Sequence, residues 1–266
     1  MPMKLKIVFF FTTLLILVFP LIHSNAQLID PSIAVKPIVK VEVGYSRTLV
    51  CTYAYTITQY QNFSEEREDT DQLGQTLTYK LLSLPNKNGF ANIETEGIYV
   101  ILNGNPNEVN FWQPGSYFVF ADWEGWKQFS SNSTLSITTQ DVLPDKQVQI
   151  TIIKYFIKTQ DNDKIFEFFI NSYSELKMGV SVQSSIFNGT YMYDKQTGSL
   201  VYSHEIKDNL SINASVITSR SFTNYEFKDL SYDFGNTEAL SFNVNYIIIT
   251  PAFLAAIILR KRIIKK

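Results

Sequence analysis

The chain has a single cysteine and only two histidines in 266 residues. One cysteine cannot close an internal disulfide, so the fold must hold through its core alone. A zinc site needs three or four nitrogen or sulfur donors, which Cys51 and His204, the one histidine outside the first apolar run, cannot supply. His23 lies in the first apolar run, and His204 stands beside Glu205 with no Ser-His-acid constellation around it. His204 therefore reads as a surface or edge histidine, and histidine catalysis is nearly excluded. No glycine-rich phosphate loop, dinucleotide fingerprint or kinase signature occurs, nor any internal repeat or heptad run. No cofactor is expected.

The carboxylates are no better placed for chemistry. Glu65-Glu66-Arg67-Glu68-Asp69-Thr70-Asp71 concentrates negative charge, but its spacing does not match an EF-hand loop, so it reads as solvated. Asp161-Asn162-Asp163 reads as a turn. No catalytic and no metal-binding residue is assigned. Two acids from separate strands can still converge, which keeps a carboxylate-dependent hydrolase open as a third reading.

The chain does carry two basic-apolar ends. Lys4-Leu5-Lys6 precedes the apolar run Ile7 to Phe19, and Ser24-Asn25-Ala26 offers small residues for a peptidase. Residues 1–26 are read as a secretory signal peptide cleaved after Ala26. At the other end, Tyr246 to Leu259 is apolar and is followed by five cations within residues 260–266. Starting from Phe242 the helix would reach about 27 Å, close to a hydrocarbon core of ~30 Å, with snorkelling lysines and an interfacial tyrosine helping. Residues 242–259 are therefore expected to be a transmembrane helix. The basic tail 260–266 would lie in the cytoplasm and the N-terminal domain outside the cell. The organisation expected is a signal at 1–26, an extracellular domain at 27–220, a tether at 221–241, the helix and the tail.

The net charge of −2 conceals an imbalance. Two basic residues lie in the signal and five in the tail, leaving sixteen against twenty-five acids, or −9, for the part outside. A domain this acidic has no electrostatic footprint for nucleic acid. The partners expected are the membrane, through the C-terminal helix, and a protein, glycan or lipid outside the cell.

With 20 Phe and 15 Tyr the chain is not a disordered one, and it favours strands. Alternation over Val35, Pro37, Val39, Val41 and Val43 predicts a strand. Others are expected at Arg47–Ile57, Thr76–Leu84, Phe90–Leu102, Gln147–Ile157, Ile165–Ile170, Val180–Phe187, Thr190–Tyr193, Leu200–Ile206 and Ser211–Thr218. Residues 61–74 and 103–115 read as loops. The period changes at Phe120, Trp123, Trp126 and Phe129, predicting one amphipathic helix within 117–130. These four rings either seal the helix onto a sheet or form a ligand-facing stripe. The fold class expected is mainly β (α+β): a curved antiparallel sheet or half-barrel with one covering helix. Cys51, within a strand pattern, reads as a small buried hydrophobe. Sequons at Asn62, Asn132, Asn188, Asn209 and Asn213 mark candidate N-glycosylation sites.

Several short motifs resemble a group of archaeal, especially Asgard-type, secreted proteins with one C-terminal anchor. They are Val43-Gly44 before a long aromatic strand, Asp122-Trp123, Tyr193-Asp194-Lys195-Gln196-Thr197-Gly198, and Pro251-Ala252-Phe253 before the basic tail. Members often carry Gly where this chain has Ala252. The resemblance implies topology and not activity. The hairpin-rich middle is also similar in style to lipoprotein-carrier half-barrels, which implies a concave face for acyl chains. The function expected is a non-enzymatic, membrane-anchored extracellular interaction or envelope-structural module. The alternative is a binding protein for an apolar ligand such as a lipid.

Overall fold

A computed structural model describes residues 30–60, 66–68, 71–97, 107–142, 148–214 and 216–234. The expected signal, transmembrane helix and basic tail lie outside the described residues, as does Asn62. Among the described residues no helix is long and apolar enough to cross a membrane.

Among the described residues eleven strands form one open antiparallel sheet. They are β1 (Ser46–Tyr60), β2 (Glu66–Glu68), β3 (Thr76–Leu81), β4 (Phe90–Gly97), β5 (Glu108–Asn110), β6 (Thr134–Val142), β7 (Val148–Asp161), β8 (Ile165–Met178), β9 (Ser181–Asp194), β10 (Leu200–Asn213) and β11 (Val216–Lys228). Their order is β5-β4-β3-β1-β11-β10-β9-β8-β7-β6, with β2 pairing β1 outside that path. Neighbours from β6 to β11 are joined by hairpins, while β1 inserts between β3 and β11. The only α-helix among the described residues is α1 (Trp123–Asn132).

Turn chemistry sets the hairpins. Asn162 Oδ1 accepts from the N–H groups of Lys164 and Ile165, both at 2.8 Å, closing β7 onto β8. Between β9 and β10, Asp194 Oδ1 accepts from Gln196 N, and Gly198 N donates to Asp194 O at 2.8 Å. Gly198 has φ 74°, and a Cβ there would sit 2.5 Å from Val119 O. This turn needs glycine for its backbone and for its fit.

The core lies at one end of the sheet, on the face that α1 covers. Leu49, Cys51, Tyr79, Phe166, Phe168, Tyr191, Tyr193 and Phe227 are buried there beneath Trp126 and the loop carrying Phe111, Phe118 and Phe120. Aromatic contacts run through it: Trp126 meets Phe168 edge-on at 5.1 Å and Phe168 meets Tyr193 edge-on at 5.5 Å. Asp122 caps α1 by accepting from Gly125 N, and its second oxygen accepts from Lys36 N at 2.5 Å.

Several expectations need correction. The alternating segment at 34–43 forms no strand; it is a line anchored by isolated bonds such as Ala121 N to Ile38 O at 2.9 Å. Tyr117 to Ala121 is non-helical, because the helix starts only at its Asp122 cap. Phe120 therefore shares spacing with Trp123 without sharing a helix. β9 and β10 are each continuous, and the reversal after β10 falls at Ala214, inside the stretch expected as a strand at 211–218. Within the loops expected at 61–74 and 103–115, β2 and β5 add short pairings. The expected tether at 221–241 is strand as far as Lys228, because Phe222, Tyr225 and Phe227 have cross-strand partners on both sides. Asp229 N then donates to Val201 O, and Tyr232 reaches Lys164 O at 3.2 Å.

Candidate functional site

The four rings singled out by periodicity face the sheet. Trp126 is fully buried, and its indole N–H donates to Phe120 O at 2.7 Å. Phe129 packs edge-on against Trp126, and Phe120 packs on Phe111 and Trp112. Trp123 is half-buried, stacks on Phe166 at 4.9 Å, and donates to Lys195 O at 3.0 Å. Each ring already has protein on its apolar surface, so the group joins helix, loop and sheet.

Polar side chains cluster at the same end. Arg47 begins β1 and donates to Asp229 Oδ2 at 2.7 Å and to the Tyr45 hydroxyl at 2.7 Å. Its guanidinium also lies 3.4 Å from Asp194 Oδ2 and over the Tyr232 ring at 5.2 Å. Thr197 and Ser199 link the same group, since Thr197 Oγ1 donates to Asp194 Oδ2 at 2.8 Å. Burial works against the charge on Arg47, but Tyr79, Tyr45 and Asp229 outweigh it and raise its pKa. Two acids thus converge here, but both are engaged by the one Arg47 guanidinium. The motif Tyr193 to Gly198 is part of this clasp.

Other titratable groups are similarly engaged. Asp161 bridges Lys127 of α1 at 3.2 Å and Lys195 of the β9–β10 turn at 2.9 Å. Burial would raise its pKa, but the two lysines win and lower it. Tyr191 donates to the buried Glu205 at 2.7 Å, and Lys207 pairs with the second oxygen at 3.2 Å. On the opposite face Tyr202 and Thr52 both donate to Glu226, and His204 Nε2 meets Asn224 Oδ1 at 2.8 Å. His204 and Glu205 are consecutive on β10 and point to different faces, so they do not act together. Among the described residues no group of His, Cys, Asp and Glu could hold a metal ion. Cys51 is 1% exposed, and burial pushes its thiol up.

Glu167 stands apart. It is fully buried on β8, and neither carboxylate oxygen has a hydrogen-bond partner among the described residues. Burial pushes its pKa up to about 8. Register places Met192 and Tyr202 in its row.

The sequons occupy varied sites. Asn132 ends α1 with an exposed side chain, and Asn209 and Asn213 are exposed on β10. Asn188 is half-buried, and its amide oxygen accepts from Asn171 Nδ2 at 2.5 Å across the β8–β9 ladder.

The surface feature with unused bonding capacity is β6. It closes one side of the sheet and pairs only with β7, from Thr134↔Phe156 to Val142↔Val148. All nine residues are exposed except Leu135 and Ile137, which are half-buried. Its outer N–H and C=O groups meet no other strand among the described residues. The opposite side of the sheet ends in the three-residue β5. Such an edge can add a further strand through main-chain bonds. β6 was not among the expected strands; its signal is the alternation of Leu135 and Ile137 with serine and threonine, a pattern shared with polar loops. No protein-family model matches the chain, and no curated protein matches it.

Proposed function

We propose that this protein is a non-enzymatic extracellular module, anchored in the cell membrane by the C-terminal helix 242–259, that works by interaction through its sheet. The observation carrying the reading is the nine-residue β6 edge, largely exposed and, among the described residues, unpaired on its outer side. The reading is further supported by the engagement of Arg47, Asp194, Asp229, Asp161, Glu205 and Glu226 in contacts between elements of the fold. The finer architecture proposed is a curved sheet or half-barrel closed at one end by α1. The membrane provides one partner and a protein, through β6, the other.

Two experiments test this. The full-length chain should sediment with membranes and be released by detergent; recovery in a salt wash or the medium overturns the anchor. A photo-crosslinking amino acid at Thr138 should give a discrete adduct on intact cells. A chain that reaches the surface and gives none overturns interaction through the edge.

A second reading, an apolar-ligand carrier, draws on the face opposite α1. There Tyr173, Ile186, Phe222 and Ile57 form one half-buried row across β8, β9, β11 and β1, with Asp208 between them on β10. Saturable displacement of a fluorescent fatty acid would support it, and non-saturable partitioning would count against it.

A further inference from the structure

We infer that the occupant of the β6 edge is β6 of a second copy of this chain, antiparallel about a two-fold axis at Thr138. The inference rests on the reading of β6 as the interaction surface and names its partner.

The strand lacks the devices that natural edges use to prevent pairing. Thr134 to Val142 contains no proline and no lysine, and its register against β7 runs without a bulge. Asp141 is its only charge. An antiparallel pair centred on Thr138 uses all nine residues. It sets Ile137 opposite Thr139, Ser136 opposite Gln140, Leu135 opposite Asp141 and Thr134 opposite Val142 of the other copy. Asp141 then never meets itself, whereas in-register parallel pairing would place the two Asp141 side chains side by side.

The same arrangement continues the sheet face that carries Leu135 and Ile137. Leu135 and Ile137 share a face with their β7 neighbours Tyr155 and Ile153. Leu135, Ile137 and Tyr155 are half-buried, and Ile153 is 36% exposed. In this register Ile137 faces Thr139 of the second copy and lies diagonal to its Ile137, while Leu135 faces Asp141, so the apolar contact across the seam is between the two Ile137 side chains beside the axis. The asymmetry of the two sheet edges also favours a closed pair. Among the described residues β5 offers only three positions to a strand of nine, so head-to-tail addition is poorly matched there, while the two-fold arrangement consumes the long edge of both copies.

Cross-linking in native membranes tests the arrangement. Opposed residues of an antiparallel pair lie roughly 4.5–5.5 Å apart at Cα, within disulfide reach. Thr138→Cys in the full-length chain should form a reductant-sensitive species of twice the chain mass on mild oxidation. Ser136→Cys and Gln140→Cys chains should cross-link to each other when co-expressed and not to themselves. Thr138→Lys, which opposes two cations at the axis, should reduce the dimer seen by light scattering in detergent at least ten-fold with an unchanged thermal transition. A single-chain mass for the wild type, or loss of the dimer only with loss of folding, overturns the inference. A Thr138 photo-adduct with a different protein overturns it too, while leaving the edge as an interaction surface. Absence of any photo-adduct removes both.

Discussion

Arg47, at the start of β1, donates to Asp229, just past the end of β11, at 2.7 Å, and both side chains are nearly buried. They are 182 residues apart in sequence. The bond ties the first strand of the sheet to the segment where the chain leaves it. Asp194 completes a bridge to the β9–β10 turn.

Truncating Arg47 should be costly, because it leaves two buried carboxylates without their cation. Arg47→Met is expected to destabilise the domain by roughly 3–5 kcal/mol, the range for a broken buried pair. Arg47→Lys should recover only part of this, since an ammonium cannot reach Asp229, Tyr45 and Asp194 with one planar group. Urea denaturation followed by tryptophan fluorescence measures both; a change below about 1 kcal/mol for Arg47→Met would show the clasp to be dispensable.

Glu167 should give the domain a pH dependence of the opposite sign to most carboxylates. Its folded pKa is pushed up to about 8 from an ordinary value of 4.5. Between those values the unfolded chain releases the proton while the folded chain keeps it. The stabilising contribution is whole below about pH 4.5 and is lost as pH rises through about 8. The loss should be on the order of 2–5 kcal/mol. Glu167→Gln removes the titration, so wild type minus variant stability should fall from about pH 5 to about pH 8 and level off above it. A flat difference across that range would mean that Glu167 ionises normally.

Ala214 adopts φ 48° in the β10–β11 reversal, a left-handed conformation that alanine tolerates poorly. Its N–H donates to Val180 O at 3.1 Å, so the turn also touches the β8–β9 tip. Ala214→Gly should relieve the strain and keep that bond, with a net gain of roughly 0.5–1 kcal/mol. A loss of stability in thermal melts would mean that the entropy of a freer unfolded chain outweighs the relief.

Local signals in the sequence located most hairpins and the helix, because their causes lie within a few residues. Asn162 closes its own turn, Gly198 supplies a backbone shape that few residues tolerate, and Asp122 caps the helix that Trp126 anchors. The pairing of β1 with β11 had no such signal, since Val50 and Lys228 are opposed only through the whole topology. The segment at 34–43 showed strand alternation because Val35 and Val41 do turn inward, but no neighbouring strand pairs with it. At the candidate site, Leu135 and Ile137 carried a weak alternation, while the openness of the edge depends on what is absent beside it. The isolation of Glu167 likewise depends on its neighbours from other strands, Met192 on β9 and Tyr202 on β10.

The insertion of β1 between β3 and β11 also governs the timing of assembly. β1 is synthesised early, yet one side of it is completed only by the last strand of the domain, with partners such as Val50 and Lys228. Until residue 228 has emerged, no main-chain ladder joins β1 to the β6–β10 meander, and each exposes an unmatched edge. Closing them requires a contact of very high sequence separation, which places this domain among slow folders. β1 therefore needs protection for as long as the rest of the domain takes to be made, and a stalled or shortened chain would present the same edge to its neighbours.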